Sequence, residues 1–175
     1  MTAALILLSL LAPGQAPKQS AKDAATIKSG RYYRIVNFKS GKVLDVMDGS
    51  KVKAIELVQG ESDPASESQQ WKVIRTNAGF KFLNKKSDLA IDIPAGSKKA
   101  GERLIQYTDQ GGPNQQWVLK KALKGFAIYS VHSGLAVSVA DGSKETGAVV
   151  TQMQWSNDRS QVWTFEIVEE DKPKQ

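Results

Sequence analysis

Apolar and polar residues alternate along most of this chain in short runs, the period expected of strands with one buried face. Such runs lie at 32–37, 42–46, 54–59 and 70–75, at 80–84, 89–93, 103–107 and 116–120, and at 126–131, 135–139, 148–153 and 162–168. Each is rich in β-branched or aromatic residues and is bounded by Gly, Ser, Asp and Asn, which close turns. Short strands at this even spacing predict an all-β barrel or sandwich and exclude βαβ units.

The strands fall into three sets of four. Ser68-Gln69-Gln70-Trp71, Asn114-Gln115-Gln116-Trp117 and Ser160-Gln161-Val162-Trp163 align, with the tryptophans 46 residues apart each time. The register holds upstream, at Leu44-Asp45-Val46, Ile91-Asp92-Ile93 and Val137-Ser138-Val139, and at Gly49-Ser50, Gly96-Ser97 and Gly142-Ser143. It slips by one residue between Gly49 and Trp71, where Gly60-Glu61-Ser62-Asp63-Pro64 reads as a longer loop. One such unit cannot bury its own apolar face, so the three are expected to close around a shared axis. Closure also removes exposed strand edges.

Three Gln-x-Trp units of this size, each with an upstream strand centred on Asp or Ser, resemble the ricin B-type lectin domain. The resemblance runs from near Gly30 to near Val168 and implies a β-trefoil: three four-stranded repeats with pseudo-threefold symmetry. It also implies that the motif itself is structural. Trp71, Trp117 and Trp163 are expected in the core, where bulky aromatics mostly sit. Gln69, Gln115 and Gln161 can satisfy backbone groups in the turn entering the last strand of each repeat.

The resemblance further implies a sugar pocket built from an Asp on the second strand, an aromatic at the end of the third and an Asn before Gln-x-Trp. The residue types suit the chemistry. A carboxylate accepts from two neighbouring hydroxyls, an amide both donates and accepts, and an aromatic face covers the C–H patch of a pyranose. The second repeat keeps the set as Asp92, Tyr107 and Asn114, with Gln115 beside them. The first repeat has Asp45 as a weaker candidate, with Ser68 for Asn and Val58 or a neighbour for the aromatic. The third has Ser138, Met153 and Ser160, although Trp155 could offer a stacking face. Structure alone could also explain Asp92 and Asn114, because such side chains close turns through backbone hydrogen bonds.

The chain ends differ from the repeats. Leu5 to Ala12 form a short apolar run that fits the core of a secretory signal peptide better than a membrane span. The expected organisation is a signal at 1–16, a linker at 17–29, the trefoil at 30–168 and a charged tail at 169–175. A secreted or otherwise extracytoplasmic location follows, with no stable membrane insertion of the mature protein.

Composition narrows the chemistry. The chain has no cysteine, which removes disulfides, thiolate catalysis and Cys-ligated zinc. A net charge of +6 is spread along the sequence and not interleaved with aromatics, unlike a nucleic-acid stripe. The single histidine, His132, aligns with Lys39 and Lys86 in a turn, and no Ser-His-Asp set, metal cluster or phosphate loop accompanies it. No catalytic residue, cofactor or metal is expected. The expected function is an extracellular lectin module that binds a glycan or polysaccharide mainly through the second repeat. The alternative is a trefoil that binds or inhibits a protein.

Overall fold

The structure is a computed structural model, and it describes residues 27–168. Twelve strands appear in three sets. They are β1 (Tyr32–Asn37), β2 (Val43–Val46), β3 (Ile55–Gly60) and β4 (Trp71–Thr76), then β5 (Gly79–Asn84), β6 (Ala90–Asp92), β7 (Ile105–Tyr107) and β8 (Trp117–Ala122). The third set is β9 (Gly125–Ser130), β10 (Ala136–Val139), β11 (Val150–Met153) and β12 (Trp163–Ile167). Every strand lies within about two residues of its expected position.

The antiparallel pairings β1–β4, β4–β5, β5–β8, β8–β9, β9–β12 and β12–β1 form a closed ring. Hairpins β2–β3, β6–β7 and β10–β11 sit beside it, one per repeat. They touch one another through β3–β7 and through the bridges Val58–Val149 and Arg103–Thr151. This is the β-trefoil: a six-stranded barrel with three hairpins around one axis. Two barrel hairpins turn at glycines for a steric reason. A Cβ on Gly79 would lie 2.3 Å from the Trp117 carbonyl oxygen, and one on Gly125 would lie 2.4 Å from that of Trp163.

Trp71, Trp117 and Trp163 are fully buried in a single core with Ile35, Leu57, Phe80, Phe82, Leu104 and Leu119. Trp71 Nε1 donates to Leu44 O at 3.0 Å and Trp163 Nε1 to Val137 O at 3.1 Å. Among the described residues, the Trp117 indole nitrogen has no hydrogen-bond partner.

A second threefold set ties each repeat to the one before it. Gln59, Gln106 and Gln152 are fully buried, and each accepts from a serine of its own repeat: Ser40, Ser87 and Ser133. Each amide nitrogen then donates to two carbonyls of another repeat. Gln59 reaches Ser143 and Glu145, Gln106 reaches Ser50 and Val52, and Gln152 reaches Ser97 and Lys99. Paired on both sides, a buried amide escapes its desolvation penalty and fixes the position of the loop it holds.

The trefoil begins earlier than Gly30. Ile27 is buried in the main core, Lys28 N donates to Tyr33 Oη, and Ser29 Oγ accepts from Arg75 N. Residues 27–29 are thus part of the folded body and not of a linker. The expected signal, the rest of the linker and the charged tail lie outside the described residues. Among the described residues, no helix is long and apolar enough to cross a membrane.

Candidate functional site

Strand register decides which side chains share a face. In the second repeat Ala90 opposes Tyr107 and Asp92 opposes Ile105. Cross-strand and next-but-one residues lie on one side of a sheet, so Asp92 and Tyr107 project from the same face as a diagonal pair. Ile91, between them in sequence, points the other way into the core.

Asn114 and Gln115 reach this face from the 3₁₀ turn Pro113–Gln115, just before β8. Asn114 Nδ2 donates to Asp92 Oδ1 at 3.1 Å and to Ile93 O at 3.2 Å. Gln115 Nε2 donates to Asp92 Oδ2 and to Thr108 O, while its Oε1 accepts from Gln110 N. Gln115 therefore does two things: it closes the loop between β7 and β8 and it orients the carboxylate. Each Asp92 oxygen takes one protein donor here, whereas a carboxylate offers about four lone-pair sites. The remainder can accept ligand hydroxyls.

The side chain is nonetheless well covered, at 4% exposure. Burial holds the Asp92 carboxyl above its usual value of 3.8, against the opposing effect of the Gln115 and Asn114 hydrogen bonds. Tyr107 and Asn114 are half-buried at the rim. Behind them Pro94–Gly96 forms a tight turn with two successive left-handed residues, Ala95 at φ 51° and Gly96 at φ 61°. His132 bonds to this turn through Nε2 and Gly96 O at 2.7 Å. It acts as a joint between the second and third repeats.

The first repeat reproduces the polar half of the arrangement. Ser68 Oγ donates to Asp45 Oδ1 at 2.6 Å and Gln69 Nε2 to Oδ2 at 2.9 Å, as Asn114 and Gln115 do to Asp92. Gln69 also closes its own loop, through Asp63 N and Glu61 O. The aromatic position is not at Val58. Val43 opposes Gly60 as Ala90 opposes Tyr107, so Gly60 is the equivalent residue and no ring is present. Val58 opposes Asp45, and 7% exposure places it among the buried hydrophobics.

The third repeat keeps only the loop closure, with Gln161 accepting from Ser156 N and donating to Gln154 O. Ser138 is buried and donates to Val139 O, and Met153 takes the aromatic position opposite Ala136. Trp155 packs on Tyr129 with ring centroids 6.0 Å apart, against a satellite cluster of Val118, Ala127 and Ala136. Its ring rests on that cluster and stays partly exposed. Burial pushes the Tyr129 hydroxyl up to about 12.

Two features near the candidate residues of the second repeat were not picked out from the sequence. The Gln106 latch was visible in principle, because Gln59, Gln106 and Gln152 recur with the tryptophans, apart from the one-residue slip of the first repeat. The other is Lys53, whose ammonium stands 5.6 Å from the centroid of the Tyr107 ring. No repeat signal marks it. An open cavity of about 340 Å³, lined by Tyr33, Phe126, Phe165 and Ile167 among others, contains none of the candidate residues. Among the described residues, no group of three or more acidic or histidine side chains is placed to hold a metal.

A family model described as ricin-type beta-trefoil lectin domain-like matches residues 24–107 and 113–173. Among solved structures, a designed threefold-symmetric protein, ThreeFoil, is 32% identical with a TM-score of 0.74, covering 77% of this chain and 97% of its own. An exo-β-1,3-galactanase from Clostridium thermocellum is 38% identical with a TM-score of 0.77, covering 81% of this chain but 31% of the galactanase. A Macrolepiota procera ricin B-like lectin, solved with lactose, is 21% identical with a TM-score of 0.69 over 80% of this chain and 97% of the lectin. No curated protein matches the sequence.

Proposed function

The chain belongs to the ricin-type β-trefoil lectin domain-like family, and from that premise we propose that it is a non-catalytic carbohydrate-binding module working mainly through the second repeat. The observation that carries this is the convergence of Asp92, Asn114 and Tyr107 on one face, with the carboxylate held by Gln115. Asp92 would accept hydrogen bonds from adjacent sugar hydroxyls, Asn114 would read a third, and the Tyr107 ring would cover the C–H face of the pyranose. The first repeat is the secondary site, through Asp45. It lacks a stacking ring and retains hydroxyl recognition only.

A shallow pocket of this kind gives weak binding to one sugar unit. A dissociation constant near 1 mM corresponds to about −4 kcal/mol, so useful retention calls for a polymer or a clustered glycan. Such targets are met outside the cytoplasm, in keeping with the signal-like run at Leu5–Ala12. A glycan array probed with the full chain, followed by calorimetric titration of the best hit, tests the proposal. Retention lost on Tyr107→Ala supports it. A blank array from folded protein would favour the rival trefoil that binds protein.

A further inference from the structure

Resting on the second-repeat pocket proposed above, we infer that this pocket selects anionic sugars, uronates or sugar sulfates, and that Lys53 is the residue that selects them.

The pocket is composite. Gln106 immediately precedes Tyr107, and its amide nitrogen holds the first-repeat loop by Ser50 O at 3.0 Å and Val52 O at 2.7 Å. Ala54 N returns a bond to Gln106 O at 2.8 Å. These three bonds place the exposed Lys53 beside the stacking residue of another repeat, with Nζ 5.6 Å from the ring centroid. Gln106 is itself fully buried and fixed by Ser87, so the placement belongs to the fold and not to a loose loop.

The same latch in the other repeats delivers different chemistry. Counting from the carbonyls that Gln59 and Gln152 hold, the equivalents of Lys53 are Thr146, beside Gly60, and Ala100, beside Met153. Thr146 donates to Glu61. Only the second repeat brings together an aromatic ring, a hydroxyl-reading carboxylate and a cation.

The charges around Lys53 leave it available. Glu56, which projects from the same face opposite Ile105, is paired with Arg103 at 2.7 Å. Asp109 is paired with Lys81. Asp92 is engaged by Asn114 and Gln115. Among the described residues Lys53 has no carboxylate partner, only the ring of Tyr107.

Position then decides selectivity. The ammonium rests near the ring on which a sugar would stack, so any sugar displaces it. A neutral pyranose offers it no counter-charge in return. A pyranose bearing a carboxylate or sulfate does, provided that group lies at the Lys53 end, away from Asp92.

The test is titration of the full chain at low salt with galactose, galacturonate and galactose 6-sulfate, and with the matching glucose series, for wild type and Lys53→Gln. Wild type should bind at least one anionic form about fivefold more tightly than its neutral parent, the scale of a partly screened ion pair. The uronate and sulfate arms tell which anion is preferred. In Lys53→Gln the ratio should fall to near one, and in wild type it should shrink in 0.3 M salt. Equal affinities in wild type, or a preference that survives Lys53→Gln, would overturn the role of Lys53 while leaving the pocket standing. Failure of wild type to bind any of the six sugars would instead remove the pocket, and this inference with it.

Discussion

Asn114 donates to Asp92 at 3.1 Å just as Ser68, 46 residues earlier in the chain, donates to Asp45 at 2.6 Å. Two repeats with different residues thus hold a carboxylate in the same way, each with a glutamine on the second oxygen. The shared element is the orientation of the carboxylate. What differs is its surroundings: Tyr107 and Lys53 stand on the carboxylate's side of the second repeat, and Gly60 takes the Tyr107 position in the first.

Asp92→Ala should cost moderate stability and abolish binding. The substitution frees one donor on each of two amides, but Asn114 keeps Ile93 O and Gln115 keeps Thr108 O. The loss should therefore be about 1–2 kcal/mol, at the lower end for unsatisfied buried donors, with unfolding still cooperative. Urea denaturation checks the first part and glycan titration the second. Intact binding would strike Asp92 from the site.

Tyr107→Ala should separate binding from folding more cleanly. Tyr107 is half-buried at the end of a three-residue strand, and its ring meets Lys53 and not the core. Sugar affinity should fall roughly fivefold to tenfold, the scale of a lost aromatic stacking contact. The urea midpoint should move little. Titration of the variant with the best glycan ligand is the measurement.

Acid should act on fold and binding in opposite directions at Asp92. Burial raises its folded-state pKa above the unfolded value, so the folded protein holds that proton more tightly. The resulting stabilisation is complete below the unfolded pKa and disappears as pH rises through the folded one. Comparing urea midpoints, wild type should gain on Asp92→Asn as pH falls from about 7 toward about 4. In the proposed site the carboxylate is the acceptor for sugar hydroxyls, so sugar binding should weaken over the same range, with a midpoint above 3.8. A binding midpoint below that value would contradict burial as the dominant influence.

The fold was legible because three identical signals lay in register. Trp71, Trp117 and Trp163 announce a repeat, and alternation then locates the strands between them. The candidate residues on regular strands, Asp45 and Asp92, could be placed on the fold for the same reason. Strand pairing was harder to read. The first repeat carries its extra residue just where its third strand ends, and only the pairing of Val43 with Gly60 identifies the vacant aromatic position. Lys53 lay beyond reach, because nothing in a linear pattern shows that a loop of one repeat is fastened to the third strand of the next.

The three core tryptophans should not respond alike to Trp→Phe. Each change removes similar buried area, since all three side chains are fully buried. Trp71 and Trp163 also lose a hydrogen bond, to Leu44 O and Val137 O, and leave that carbonyl short of a donor. Trp117 has no such bond to lose, and its buried N–H already carries a desolvation penalty that phenylalanine would relieve. Trp117→Phe should therefore be less destabilising than either of the others by about 1 kcal/mol, the net worth of one hydrogen bond. Urea denaturation of the three variants side by side checks the order, with equal slopes required for the comparison. Should Trp117→Phe prove as costly as the others, its indole must be bonded in solution, and the second repeat would match its two neighbours at the core as well as in outline.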